Sequence, residues 1–150
     1  MDSALKETIN VGAVGVRFLV DAQDSGGSVT VFECSVPAGA KVPAPHSHDG
    51  FEETLYGLAG VCTWVVDGER LELAVGESLC IRRGQVHGFV NEGTDEVKFL
   101  AIASPGVFGP AYFQDIAAVI ASSAGGPPDL EAIGAVMRRH GLTPAKPVAA

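Results

Sequence analysis

Short stretches of alternating apolar and polar residues, separated by turn signals, follow one another from residue 14 to residue 104. The clearest pair is VCTWVVDGERLELAV at residues 61–75, where Asp67-Gly68 stands between two runs rich in β-branched residues. This dipeptide favours the two-residue turn of a β-hairpin, and a period of two residues puts one face of each strand in a core. Roughly eight or nine such strands with no helical interruption predict an antiparallel sandwich or barrel.

The periodicity changes after Pro105. Apolar residues recur at helical spacing in AYFQDIAAVIASS at 111–123, where they are Phe113, Ile116, Ala117 and Ile120. A second helix is predicted for DLEAIGAVMRRHG at 129–141, because acidic residues lie in its first turn and basic residues in its last. The residues expected to pack this helix on a core are Leu130, Ile133, Val136 and Met137. The tail TPAKPVAA at 143–150 is predicted to be loose.

Charge and composition exclude several classes of function. A net charge of -8 leaves no basic face for nucleic acid, so no nucleic-acid partner is expected. The apolar run at 11–20 is too short to span a bilayer, and residues 1–10 lack the basic and apolar regions of a signal peptide. We therefore expect a cytoplasmic protein with no membrane partner. The cysteines form no C-x-x-C motif, and we expect them to be small buried residues in a reducing compartment. They are Cys34, Cys62 and Cys80.

Residues that bind metals are concentrated in PAPHSHDGFEE at residues 43–53. His46 and His48 are two residues apart, so in a strand both imidazoles point to the same face. Glu53 follows at the start of the next strand and adds a carboxylate. Taken alone, this stretch is also compatible with polar residues on a surface loop.

A second stretch, GESLCIRRGQVHGFVN at 76–91, adds His87 in a strand of its own. Together the two stretches contain the motif G(x6)HxH(x4)E(x6)G followed by G(x7)G(x2)H(x3)N. This arrangement resembles the two motifs of the cupin superfamily over roughly residues 13–104. Two positions depart from the family pattern: the gap between Gly39 and His46 is one residue longer, and Arg82 replaces a proline. Both positions shape turns, so the departures leave the metal-binding residues intact.

The resemblance implies an all-β fold, an antiparallel β-barrel or jelly roll with a metal inside it. It implies His46, His48, Glu53 and His87 as ligands of a divalent transition metal. Iron or manganese is expected first, with nickel, cobalt, copper or zinc as alternatives. The implied function is that of a dioxygenase-like oxidoreductase whose small-molecule substrate chelates the metal, with Glu53 as a catalytic base. A non-redox isomerase, lyase or cyclase and a non-catalytic ligand-binding cupin are the alternatives.

The resemblance also bears on organisation. We expect a cupin β-barrel domain at residues 1–106, which contains the part that resembles the family. The change of periodicity after Pro105 predicts that residues 107–143 are a C-terminal helical extension of the same domain. Cupin barrels commonly pair, so a homodimer is expected. The helical extension is expected to cover a mouth of the barrel or to pack on a partner subunit.

Other side chains are weaker candidates. Alternation sends Glu52 to the face opposite Glu53, which predicts a solvated carboxylate. Asn91 is expected to satisfy backbone groups, and His140 to complement the dipole at a helix end on the surface. Tyr56 and Gln85 are possible hydrogen-bond donors to a ligand. Five apolar residues could line a pocket, but core packing is the better expectation for each of them. They are Phe51, Leu55, Trp64, Phe89 and Phe99.

Overall fold

Two antiparallel sheets packed face to face form the body of the molecule. The computed structural model describes residues 5–42, 44–123 and 125–146, and within these ranges it contains eleven strands and three helices. The strands are β1 Thr8–Val11, β2 Val14–Val20, β3 Thr30–Val36, β4 His46–His48, β5 Glu52–Ala59, β6 Cys62–Val66, β7 Glu69–Leu73, β8 Ser78–Ile81, β9 His87–Val90, β10 Val97–Ser104 and β11 Leu142–Pro144. The helices are α1 Ala22–Ser25, α2 Pro110–Ser122 and α3 Leu130–Arg139.

The strand order explains how residues distant in sequence meet. The first sheet has six strands in the order β1-β2-β3-β10-β5-β8, and the second has five in the order β11-β4-β9-β6-β7. Neighbouring strands in both sheets are antiparallel. This jelly-roll arrangement confirms the predicted fold class. The strand that carries His46 and His48 lies directly beside the strand that carries His87.

Alternating burial along the strands builds the core between the sheets. In β3 the buried side chains are those of Thr30, Phe32, Cys34 and Val36. Trp64 and Phe89 of the second sheet meet Phe99 of the first, with ring centroids 5.2 and 5.3 Å from that of Phe99. Burying rings of this size contributes roughly 1.5–3 kcal/mol for each side chain. Trp64 and Phe99 are buried in the core and Phe89 packs against it partly buried, and all three also line the cavity described below.

The hairpin between β6 and β7 forms as the sequence predicts. Asp67 and Gly68 have φ angles of 49° and 82°, the two positive values that a type I′ turn requires. The Asp67 backbone N–H donates to the carbonyl of Val86 at 2.7 Å. The turn is thus tied to the segment that leads into β9.

The two predicted helices are present, and their packing differs in detail from the prediction. On α2 the most deeply buried residues are Tyr112 and Ile116, and on α3 Leu130 is 63% exposed. Leu130 is the first residue of α3, next to the N-cap Asp129. It therefore lies beyond the contact that buries the other apolar residues predicted to pack this helix on the core. The other predicted packing residues of α3 are buried, and they are Ile133, Val136 and Met137. Helix α2 packs against β1, and α3 packs against α2 and β11.

The prediction of a loose tail is wrong for its first residues. Residues 142–144 form β11, which pairs with β4 along its whole length. The edge of β4 offers unpaired backbone groups, and a short segment with no pattern of its own satisfies them. Residues 147–150 of the tail lie outside the described residues. The domain boundary at residue 106 stays a prediction.

The cysteine prediction is confirmed for two residues and wrong for the third. Cys34 and Cys62 are buried, whereas Cys80 is exposed. In β8 the buried side chain at the end of the strand is Ile81, and alternation turns its neighbour Cys80 outward. In the ranges that the structure describes, no helix is long and apolar enough to cross a membrane.

Candidate metal centre

Three histidines from two neighbouring strands converge in the interior. His46 and His48 lie on β4, and His87 lies on β9 as the register partner of His46. Each offers a ring nitrogen, and the three nitrogens all lie within 4.8 Å of one another. Each side chain is buried, with 6%, 1% and 3% of the surface of His46, His48 and His87 exposed. The spacing suits three ligands of one metal ion.

Backbone carbonyls set the tautomers of two of these imidazoles. Nδ1 of His46 lies 2.9 Å from the carbonyl oxygen of Ala44, and Nδ1 of His87 lies 2.9 Å from that of Gln85. Because a carbonyl oxygen can only accept, both Nδ1 atoms carry the proton. Nε2 of each ring therefore has a free lone pair, and a hydrogen bond at the other nitrogen is the usual support of a metal-binding histidine.

His48 is held by stacking. Its ring lies 4.2 Å from that of Phe51 at an interplanar angle of 19°, and Phe51 in turn stacks on Phe108 at 4.9 Å. Nδ1 of His48 is buried without a hydrogen-bond partner among the described residues. A buried polar atom left in this state is costly, and a cation bound at this nitrogen would offset that cost. The histidine cluster therefore fits a metal ion.

Glu53 approaches the histidines from the opposite sheet. It lies on β5, where its register partners are Ala103 of β10 and Ile81 of β8. Its side chain is buried, and its Oε1 lies 4.0 Å from Nε2 of His87. The three-histidine cluster is complete without this carboxylate. The roles of Glu53 as ligand and as base stay predictions.

Burial shifts the protonation of all four side chains toward the neutral form. It lowers the pKa of His46 to about 3 and that of His48 to about 2, with the neighbouring imidazoles adding to the effect. Burial also lowers the pKa of His87 and raises the pKa of Glu53 to about 8. At neutral pH the imidazoles are thus in the form that binds metals. A bound cation would favour the ionised form of Glu53.

The site opens onto a small interior cavity. Its volume is about 60 Å³, and its wall includes His46, Glu53 and His87. Most of the remaining wall is apolar, with Trp64, Phe89 and Phe99 from the strands and Phe108, Tyr112 and Phe113 from the C-terminal part of the chain. Cavities that admit benzene measure about 150 Å³, so this one fits a ligand of a few heavy atoms.

The sequence motifs and the geometry agree with the known family. The family model of the Cupin domain matches residues 32–103, a range that includes all four predicted ligands. The match gives residues 32–103 as a cupin domain, and the two sheets have the cupin fold. No curated protein matches the sequence significantly.

Solved structures share the cupin fold. A predicted oxalate decarboxylase from Thermotoga maritima aligns with a TM-score of 0.62 and 23% identity, covering 69% of this chain and 95% of that one. A sugar phosphate isomerase of the cupin superfamily from Silicibacter pomeroyi has a TM-score of 0.54 and 21% identity, with 61% and 59% covered. The polyketide cyclase RemF from Streptomyces resistomycificus is 29% identical, with a TM-score of 0.56 and 65% and 67% covered. At these identities the first two comparisons support the fold alone.

Tyr56 and Gln85, the two residues considered as hydrogen-bond donors to a bound ligand, do not line the cavity. Tyr56 is 43% exposed on the outer face of β5. Gln85 accepts a hydrogen bond from the backbone N–H of Arg82 at 2.8 Å and donates to Asp67 at 3.3 Å. Both therefore have surface or structural roles, because strand alternation and the turn before β9 point them away from the metal-binding histidines.

Three other expectations can be compared with the cupin structure. Glu52 points outward and pairs with Arg83, as predicted for a solvated carboxylate. Asn91 donates to the carbonyls of Val36 and Asp95 at 2.9 and 2.7 Å, which confirms its backbone role. His140 ends α3 as predicted, but it is only partly exposed, and its Nε2 lies 2.8 Å from a carboxylate oxygen of Asp115. It thus also joins α3 to α2.

Sequence reasoning missed Tyr112 of α2 as a residue of the cavity wall. Tyr112 lines the cavity with a phenol, and Phe108 lies between it and Phe51 in a chain of aromatic contacts. A helical interval of four residues relates Tyr112 to Ile116, and this spacing is the signal that could have identified Tyr112 as inward-facing. Leu55 is fully buried, as core packing predicted.

Proposed function

We propose that the chain is a metal-dependent enzyme that moves a proton on a small molecule bearing a carbonyl or hydroxyl oxygen, as an isomerase or cyclase does. The observation that carries this proposal is the convergence of His46, His48 and His87 beside a cavity whose wall includes His46, His87 and, from the opposite sheet, Glu53. The proposal takes the histidine cluster as a cation site and Glu53 as a base beside it. Apolar walls around them limit the access of water.

Each part of the site has a chemical task. A divalent transition metal held by the three imidazoles supplies Lewis-acid chemistry, or dioxygen chemistry if the metal is redox-active. Glu53, whose Oε1 lies 4.0 Å from Nε2 of His87, takes a proton from the carbon beside the substrate's carbonyl and returns it to another atom. The backbone carbonyls of Ala44 and Gln85 hold two of the imidazoles in the orientation that leaves Nε2 free.

Similarity to RemF favours non-redox chemistry. Among the solved structures described above, this polyketide cyclase shares the highest identity with the chain, at 29%. A cyclase joins atoms of one substrate without a net oxidation, and proton transfer beside a carbonyl is the step for which Glu53 is suited. We therefore put proton transfer first.

The dioxygenase expected from the sequence is the second candidate. Three imidazoles with a carboxylate form a donor set that suits iron or manganese. The cavity wall is largely aromatic and aliphatic, and such a wall keeps water from a reactive intermediate. The substrate would bind at the same place in both reactions, so the metal and the need for dioxygen distinguish them.

The first experiment is elemental analysis of untagged protein beside a His46→Ala, His87→Ala double variant. We expect close to one transition-metal ion per chain, lost in the double variant. Lack of metal in the wild-type protein, even after reconstitution, would contradict the proposal.

The second experiment follows exchange of carbon-bound hydrogen in hydroxyacetone in D2O by NMR. Zinc-loaded protein under nitrogen should catalyse the exchange, and Glu53→Gln should slow it by roughly a hundredfold or more. Dioxygen uptake on diketones or catechols with the iron or manganese form, without exchange in the zinc form, would favour the dioxygenase instead.

A further inference from the structure

Tyr112 brings a polar group to the cavity from outside the part of the chain that matches the family. It lies on α2, beyond the matched residues 32–103, and is only 4% exposed. It lines the same cavity as His46, Glu53 and His87. The cavity is mostly apolar, so each polar group on its wall restricts what can bind there.

Aromatic contacts hold the Tyr112 ring in place. Its centroid lies 5.0 Å from that of Phe108 and 5.1 Å from that of Phe113. The ring of His140 meets it edge-on at 5.6 Å, and His140 is itself bonded to Asp115 of α2. A side chain packed on three sides loses little further freedom when its hydroxyl meets a ligand.

The hydroxyl of Tyr112 makes no side-chain hydrogen bond within the described part of the chain. None of the side-chain hydrogen bonds there involves it, although neighbouring polar groups such as Thr30 and His140 are bonded. The hydroxyl of Tyr112 is therefore available to a ligand oxygen that enters the otherwise apolar cavity.

The phenol is a donor at neutral pH. Burial raises the pKa of Tyr112, and the negative charge of Glu53 raises it further. The hydroxyl therefore keeps its proton at neutral pH and can donate a hydrogen bond to a carboxylate or enolate oxygen of a ligand.

We propose that the Tyr112 hydroxyl donates a hydrogen bond to a second oxygen of the substrate, whose first oxygen is held at the histidine cluster. The substrate class is then a small dicarbonyl or hydroxycarbonyl compound, of the few heavy atoms that a cavity of about 60 Å³ admits. This inference rests on the proposed function, because it takes the histidine cluster as the anchor of the first oxygen. Tyr112 is in this scheme a residue that binds and orients the substrate.

The test compares Tyr112→Phe with Tyr56→Phe, a matched control on the outer surface of β5. Each protein is loaded with cobalt(II) and titrated with acetohydroxamate, a small anion with two adjacent oxygens, while the visible spectrum of cobalt is followed. We expect Tyr112→Phe to bind acetohydroxamate roughly tenfold or more weakly, since a hydrogen bond to a charged group is lost. Tyr56→Phe should bind it as the wild-type protein does.

Two further measurements separate binding from folding. Cobalt affinity and melting temperature should be unchanged in Tyr112→Phe, because the ring and its contacts remain. Imidazole, which offers a nitrogen to the metal but no oxygen to Tyr112, should bind equally to Tyr112→Phe and to the wild-type protein.

Equal binding of acetohydroxamate to Tyr112→Phe and wild-type protein would overturn the inference. Equal weakening of acetohydroxamate and imidazole would also overturn it, because that result indicates a general change in the site. If the wild-type protein takes up cobalt but binds no acetohydroxamate, this inference fails while the metal site stands. If it takes up no cobalt, the proposed function fails first.

Discussion

Burial at the site gives individual residues opposite effects on stability as the pH changes. The pKa values of His46 and His48 fall from 6.5 to about 3 and about 2 on folding, so the unfolded chain binds more protons than the folded one below pH 6.5. Stability from these residues is therefore lost as the pH falls below 6.5. The pKa of Glu53 rises from 4.5 to about 8, so the folded chain keeps a proton that the unfolded chain has released. Stability from Glu53 is lost as the pH rises from 4.5 to 8.

We therefore predict that the metal-free protein is most stable near pH 6.5. Below that pH the three histidines, whose pKa values are all lowered by burial, outweigh Glu53. Above it Glu53 lowers the free energy of unfolding by about 1.4 kcal/mol per pH unit for one proton. Urea unfolding between pH 5 and 8.5 in the presence of a chelator measures this. Glu53→Gln should remove the decline between pH 6.5 and 8, and parallel curves for the two proteins there would contradict the prediction.

Among the elements, the β6–β7 turn supports the strand that carries His87. A carboxylate oxygen of Asp67 accepts from the backbone N–H of Val86 at 2.9 Å, and the other accepts from the side chain of Gln85 at 3.3 Å. The carbonyl of Gln85 in turn accepts from Nδ1 of His87. The hairpin turn thus helps to orient a metal-binding imidazole that is twenty residues away.

Replacing Asp67 should therefore affect both stability and metal binding. Asp67→Ala removes both acceptors and places alanine at positive φ, so we expect a loss of about 1–2 kcal/mol and metal binding roughly tenfold weaker. Asp67→Asn keeps an oxygen acceptor and tolerates positive φ, so it should lose much less. Urea unfolding and competition with a chelating dye measure the two effects. The idea fails if both variants bind metal as the wild-type protein does.

At the scale of the whole molecule, the C-terminal segment is part of the site's surroundings. Strand β11 covers the edge of β4, where Leu142 is the register partner of His48 and Pro144 that of His46. Helix α2 supplies Tyr112 and Phe113 to the cavity wall. The described residues after 106 therefore contact both the metal-binding strand and the cavity.

Deleting residues 107–150 should lower both the melting temperature and the metal affinity. The deletion turns β4 into an edge strand and exposes the apolar wall that α2 covers. Calorimetry and metal titration measure these effects, and sedimentation of the same samples tests the homodimer, which stays a prediction. A truncated protein that melts and binds metal like the full chain would contradict this account.

The sequence by itself determined the features that depend on local pattern. Alternation identified the strands, Asp67-Gly68 identified the hairpin, and the H-x-H spacing put His46 and His48 on one face of a strand. That His87 joins them was implied by the resemblance of the two motifs to the cupin superfamily. These features can be predicted from sequence because strand period, turn geometry and short ligand spacings involve residues close together in the chain.

Tertiary structure alone decided how distant elements meet. It placed Glu53 4.0 Å from His87 across two sheets, added β11 to the edge of β4, and turned Tyr112 toward a small cavity. The segment that forms β11 has no pattern of its own, and a tyrosine on an amphipathic helix is also compatible with the surface. Such residues acquire their roles from the packing of neighbouring elements, which a one-dimensional pattern does not record.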